Sequence, residues 1–142
     1  MEKGYSTYKT ANIDTADQGK LIIIAYDVAI KHCRLAIDIF SDKKKIEERT
    51  KHLFKVQDAI TELMSSLKID VGEIAQNLYR LYDYMIRKLV DANIKQEVQD
   101  VKEVLGYLES LRSAWKEAIN NLRALNVSQN ETVQPGNLTV TG

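Results

Sequence analysis

Residues 17–40 read DQGKLIIIAYDVAIKHCRLAIDIF, an apolar-rich run with one glycine and no proline. Wound at about 100° per residue, Leu21, Ile24, Ala25, Val28, Leu35 and Ile39 fall on one side, the side expected to line a bundle core. A second set, Ile22, Tyr26, Ala29, Cys33, Ile37 and Phe40, falls about 120° away, with Ile23 and Ile30 beyond it. Lys20, Asp27, Lys31, Arg34 and Asp38 crowd into a strip roughly 60° wide. About two thirds of this helix is therefore apolar, whereas an ordinary bundle helix needs a stripe a little over about 100° wide. Either the helix sits centrally, flanked by three others, or its surplus face forms a groove for a partner helix.

Outward from this helix, the rest of the 142-residue chain repeats the helical period. The first helix is expected to start near Asp17, capped by Thr15 or Asp17, and to run to about Phe40. Ser41 and Asp42 cap a second helix from about Lys43 to Leu67, with Ile46, Leu53, Val56, Ile60, Leu63 and Leu67 in one narrow stripe. A turn at residues 70–73 leads into a third, from about Gly72 to Ala92, carrying Ile74, Leu78, Leu81, Tyr82, Met85 and Leu89, with Asn93 as its C-cap. The fourth runs from about Lys95 to Leu125 with Val98, Val101, Val104, Leu105, Leu108, Leu111, Trp115, Ile119 and Leu122. Pro135 is the sole proline and glycine is sparse, so nothing breaks a helix across the middle of the chain. Short connections make consecutive helices antiparallel neighbours. The expected architecture is all-α, an antiparallel up-down four-helix bundle over 15–125. A flexible N-terminal segment covers 1–14, and 126–142, with Glu131 as its single charge, reads as a disordered tail. Ala75, Tyr79, Ile86 and Val90 widen the third helix's stripe while the second stays narrow, which favours a groove on particular helices. Tyr84 projects among Glu73, Arg80, Asp83, Arg87 and Asp91.

Twenty Lys plus Arg balance twenty Asp plus Glu. No basic excess points to nucleic acid or to an anionic membrane. A lone cysteine, Cys33, forms no intrachain disulfide. The N-terminus lacks the apolar core of a signal peptide, and the longest apolar run falls far short of the roughly 20 residues of a membrane span. The expected location is the cytosol, without membrane insertion. His52 and Lys55 have the His-x-x-Lys spacing of histidine phosphotransfer bundles, but Val56 follows where such domains carry small residues. His32 and Cys33 are adjacent, so on a helix they point about 100° apart and cannot bind one metal together. No glycine-rich phosphate loop, nucleophile elbow or paired-carboxylate motif is present, and neither catalysis nor a cofactor is expected.

Four collinear segments carry a family resemblance. Residues 15–30, TADQGKLIIIAYDVAI, resemble the signature of the FliS family of flagellin-specific export chaperones, a Thr-Ala-Ser-Pro type cap leading into an apolar helix with Leu-Tyr-Asp-Gly-Ala. Residues 72–78, GEIAQNL, followed by 81–85, LYDYM, resemble its third-helix motif, and 111–117, LRSAWKE, its fourth-helix ending. Tyr5 and Tyr8 sit where the family carries an N-terminal tyrosine pair, with Ile13 at its apolar position. Asp17-Gln18 replaces the usual Ser/Thr-Pro, Val28 replaces the glycine of Tyr-Asp-Gly, and Val71 stands where the first glycine of a pair is common. The resemblance implies a chaperone that binds the C-terminal segment of flagellin, prevents premature polymerisation and delivers the subunit to the flagellar type III export gate. It implies a groove lined by Ile22, Ile23, Tyr26, Ile30, Asn77, Leu81 and Tyr84. Tyr5, Tyr8 and Ile13 would form a lid over that groove and dock at the gate. It leaves room for a flagellin-regulating antagonist or co-chaperone and for a homodimer of the free protein. The rivals from other classes are a histidine phosphotransfer bundle and a homo-oligomeric helical scaffold.

Overall fold

A computed structural model describes residues 15–67 and 72–132. The four expected helices form as α1 (Thr15–Asp38), α2 (Ile46–Ser65), α3 (Glu73–Lys95) and α4 (Val98–Thr132). Between α1 and α2 the chain turns through Phe40 and Asp42, whose amides bond the carbonyls of Ile37 and Ile39. Asp42 then caps a 3-10 turn, Lys43–Lys45, its carboxylate accepting from the Lys44 amide at 2.9 Å. A short polar side chain here satisfies a donor that the first turn leaves free.

The end of α3 departs from expectation. Asn93 lies inside the helix, and the C-cap is Gln96, in the left-handed conformation at φ 58°. The Glu97 amide closes the turn on the Ala92 carbonyl at 3.0 Å, and α4 begins one residue later. Asn93 serves a different end. Its side-chain oxygen accepts from Arg49 Nε at 3.1 Å and from Thr50 Oγ1 at 3.2 Å, and its carbonyl accepts from an Arg49 terminal nitrogen at 3.3 Å. Arg49 also donates to the Phe40 carbonyl at 3.2 Å, and its guanidinium lies 4.5 Å from the centre of the Phe40 ring. Among the described residues it is the one buried charged side chain. Spending its fork on carbonyls near the ends of α1 and α3 offsets the cost of taking it out of water.

The helices form a ring in which α1 packs on α2 and α4, and α3 packs on α2 and α4. Gly19 meets Ile119, Asp27 meets Arg112 and Arg34 meets Glu109, so α1 and α4 run antiparallel. Helix α1 thus has two flanking neighbours, not the three of a central helix. The core draws on every helix, with Tyr26, Leu53, Ile60, Tyr82, Met85, Leu89, Val101, Val104 and Leu108 at its centre.

On α1 the two apolar faces exchange their expected roles. The buried apolar residues are Ala25, Tyr26, Ala29, Ile30, Cys33 and Ala36, with Phe40 just past the helix end, while Ile24 and Val28 are 54 % and 38 % exposed. The set 26, 29, 33, 36, 40 advances by three and four residues without a break, and its small members Ala29, Cys33 and Ala36 let neighbouring helices approach. The set expected to face the core skips from 28 to 35 across Lys31 and His32. Val28, which stands where the resembling family has glycine, points outward. Ile74 at the start of α3 is also exposed, at 78 %, although its spacing put it in the core stripe.

Candidate functional site

Helix α4 outruns its partners. It continues through 126–132, residues expected to belong to the tail, and Leu122, Leu125 and Val127 on it are exposed. Beside the first turns of α1 this overhang leaves a two-helix rim whose apolar side chains are only partly covered. At its centre the buried Gly19 accepts Ile119, and a Cβ on residue 19 would stand 3.1 Å from the Ile119 side chain. A larger residue at 19 would push the Ile119 side chain back by a few tenths of an ångström.

Two shallow clefts flank the Gly19–Ile119 contact. One, of about 290 Å³, has Ile23, Ile24 and Ile119 as its floor and Lys20, Arg112, Lys116 and Arg123 around it. The other, of about 220 Å³, is lined by Ile22, Trp115, Ile119 and Leu122 together with Gln18 and Asn126. Among the described residues, no carboxylate lines either cleft, although Arg112 pairs with nearby Asp27. In a chain of zero net charge, the rim is locally cationic around an apolar floor.

The residues expected to line one groove are distributed over three environments. Ile22 and Ile23 are half-buried and lie in the two clefts. Tyr26 and Ile30, 0 % and 7 % exposed, belong to the core, on the packed face of α1. The Tyr26 and Tyr82 hydroxyls hydrogen-bond across the bundle, beside the indole of Trp115. Burial pushes both phenols above the usual tyrosine range, and their mutual hydrogen bond adds to the rise at Tyr26. Asn77 is exposed and accepts from Arg80 at 2.7 Å, while Leu81 is half-buried against the core.

Tyr84, 40 % exposed, crosses from α3 to α4. Its hydroxyl donates to Glu103 at 2.7 Å, its ring meets Tyr107 edge-on at 6.3 Å, and the Lys88 ammonium lies 5.6 Å from its centre. The hydrogen bond to Glu103 raises the Tyr84 phenol and lowers the Glu103 carboxyl. Tyr84 is thus on the α3–α4 side of the ring, whereas Ile22 and Ile23 are at the α1–α4 rim. Sequence reasoning missed α4's share, Lys116, Ile119 and Leu122; the signal available was apolar spacing that runs on to Leu125 and Val127. Tyr5, Tyr8 and Ile13 lie outside the described residues, as do 133–142 of the expected tail.

His52 is half-buried, and its Nδ1 shares a hydrogen bond with Nδ1 of His32 at 2.9 Å. The imidazole expected to accept phosphate in the phosphotransfer alternative is thus engaged by another side chain. No helix among the described residues is long and apolar enough to cross a membrane.

Comparison with known proteins points one way. The family model described as "Flagellar protein FliS" matches residues 1–122. A Bacillus subtilis protein named flagellar secretion chaperone FliS is 34 % identical over 123 residues, 87 % of this chain and 91 % of its own length. The Escherichia coli protein of that name is 26 % identical over 82 % of this chain and 90 % of its own. The Salmonella typhimurium one is 52 % identical over a shorter stretch, 32 % of this chain and 34 % of its own.

Proposed function

Because the chain belongs to the FliS family of flagellar secretion chaperones, a family of chaperones and not of enzymes, we propose that its client is flagellin. It binds the C-terminal segment of that protein in the cytosol, holds it back from polymerising and delivers it to the flagellar type III export gate. The observation that carries this reading is the rim at α1 and α4, with its apolar floor of Ile22, Ile23, Ile24 and Ile119 left open beside an overhanging helix. An amphipathic client segment that packs only within a filament has an apolar face to bury, and a groove between two helices accepts such a face. The client orders on binding, and the entropy lost in ordering keeps release accessible despite a large contact.

Gate docking and covering of the free rim fall in the same proposal to the segment with Tyr5, Tyr8 and Ile13. Tyr84 with Tyr107 offers a second contact area on the α3–α4 side. The direct test is assembly of flagellin from monomer, followed by light scattering. An equimolar amount of this chain suppresses growth, and a flagellin lacking its C-terminal segment escapes retention by the chain. Unaltered polymerisation in its presence refutes the assignment.

A further inference from the structure

His32 on α1 and His52 on α2 are the chain's two histidines, and they meet. Their Nδ1 atoms are 2.9 Å apart, and their rings are tilted by 32° with centres 5.1 Å apart. Both side chains are half-buried, so water reaches the pair while two helices hold it. Two imidazole nitrogens at this spacing are also nearly placed to share an ion. A tetrahedral site with bonds of 2.0–2.1 Å separates its nitrogens by about 3.4 Å, which the pair reaches by a small opening of the rings.

We propose that His32 and His52 form a two-histidine site for a late first-row divalent ion, of which Ni(II) and Zn(II) are representative. Imidazole is a ligand of choice for these ions, while Mg(II) and Ca(II) prefer oxygen donors. With each ring carrying its proton on Nε2, a tautomer reached by exchange through solvent, both Nδ1 lone pairs face the metal. Water fills the remaining positions, since no cluster of three or more His, Cys, Asp or Glu suited to a metal is present among the described residues. Cys33 is not a competitor, because burial pushes its thiol up to about 12 and keeps it protonated. The Lys31 and Lys55 ammonium groups act on His32 and oppose a cation. They set the affinity below that of a closed structural site. A bound ion ties α1 to α2.

The test titrates untagged full-length chain with Ni(II) at pH 7.5, by calorimetry and by thermal melting, with Mg(II) as control. One equivalent binds and raises the melting temperature, because the ion holds the folded arrangement and not the unfolded chain. His32→Gln and His52→Gln each weaken binding by at least about tenfold, and the double variant loses it. A readout on the unaltered chain covers variants that fold poorly: paramagnetic Ni(II) broadens the ring proton resonances of both histidines together. The proposal is overturned by binding that survives in the double variant, by broadening of only one ring, or by absence of heat and of any melting shift.

Discussion

The hydroxyls of Tyr26 and Tyr82 meet inside the bundle, so each satisfies a polar group that burial would otherwise penalise. Tyr26→Phe removes one of them and leaves the Tyr82 hydroxyl with the Trp115 indole alone, at an expected cost of about 1–2 kcal/mol in a denaturant melt. Tyr26→Phe should leave client affinity unchanged, because no part of the side chain reaches the surface. The histidine pair makes a pH prediction. Burial, then His52, then the Lys31 and Lys55 ammonium groups, holds His32 below the ordinary histidine value of 6.5. A group with a depressed folded value binds its proton more readily when unfolded, so stability rises with pH. The contribution is complete above 6.5 and is lost as pH falls below it through the folded value. Melting temperature should therefore drop on acidification across this window in metal-free buffer, and His32→Gln should flatten that part of the profile. An equal slope in the variant would remove His32 from the account.

At the scale of the elements, the joint between α3 and α4 rests on Gln96 in a left-handed conformation that costs a side chain more than it costs glycine. Gln96→Gly should stabilise the fold by about 0.5–1 kcal/mol, read as a shift of the denaturant midpoint with an unchanged slope. Loss of stability instead would mean that the Gln96 side chain holds the joint. All four helices were legible in the sequence, because periodic apolar spacing bounded by Asp42 and by Gly72 is a local signal. The face of α1 that packs was not, since both of its apolar stripes satisfy the same periodicity. The unbroken 26, 29, 33, 36, 40 ladder of small and large residues was the distinguishing feature. Arg49 gave no local sign, because its acceptors, Phe40 and Asn93, come from two other parts of the chain. Likewise His32 and His52 are ordinary positions until α1 lies beside α2. Of the candidate rim, Ile22 and Ile23 were legible, while the share of α4 depends on how that helix lies against the first turns of α1.

Across the whole molecule, zero net charge hides a local arrangement in which cationic side chains stand around an apolar floor at one end of the α1–α4 pair. The ring of helices supports that rim, and among the described residues only α1 and α4 line the clefts. The central claim is that this rim, and not the packed face of α1, receives flagellin. It is tested by calorimetric titration of the wild-type chain, Ile24→Asp and Ile30→Asp with the C-terminal segment of flagellin from its own organism. Wild type should bind saturably. Ile24→Asp, on the cleft floor and 54 % exposed, should bind at least about tenfold more weakly while its stability stays within about 0.5 kcal/mol of wild type. Ile30→Asp, 7 % exposed, should lose the cooperative fold itself. Full affinity in Ile24→Asp, or a well-folded Ile30→Asp that has lost the client, would contradict the account.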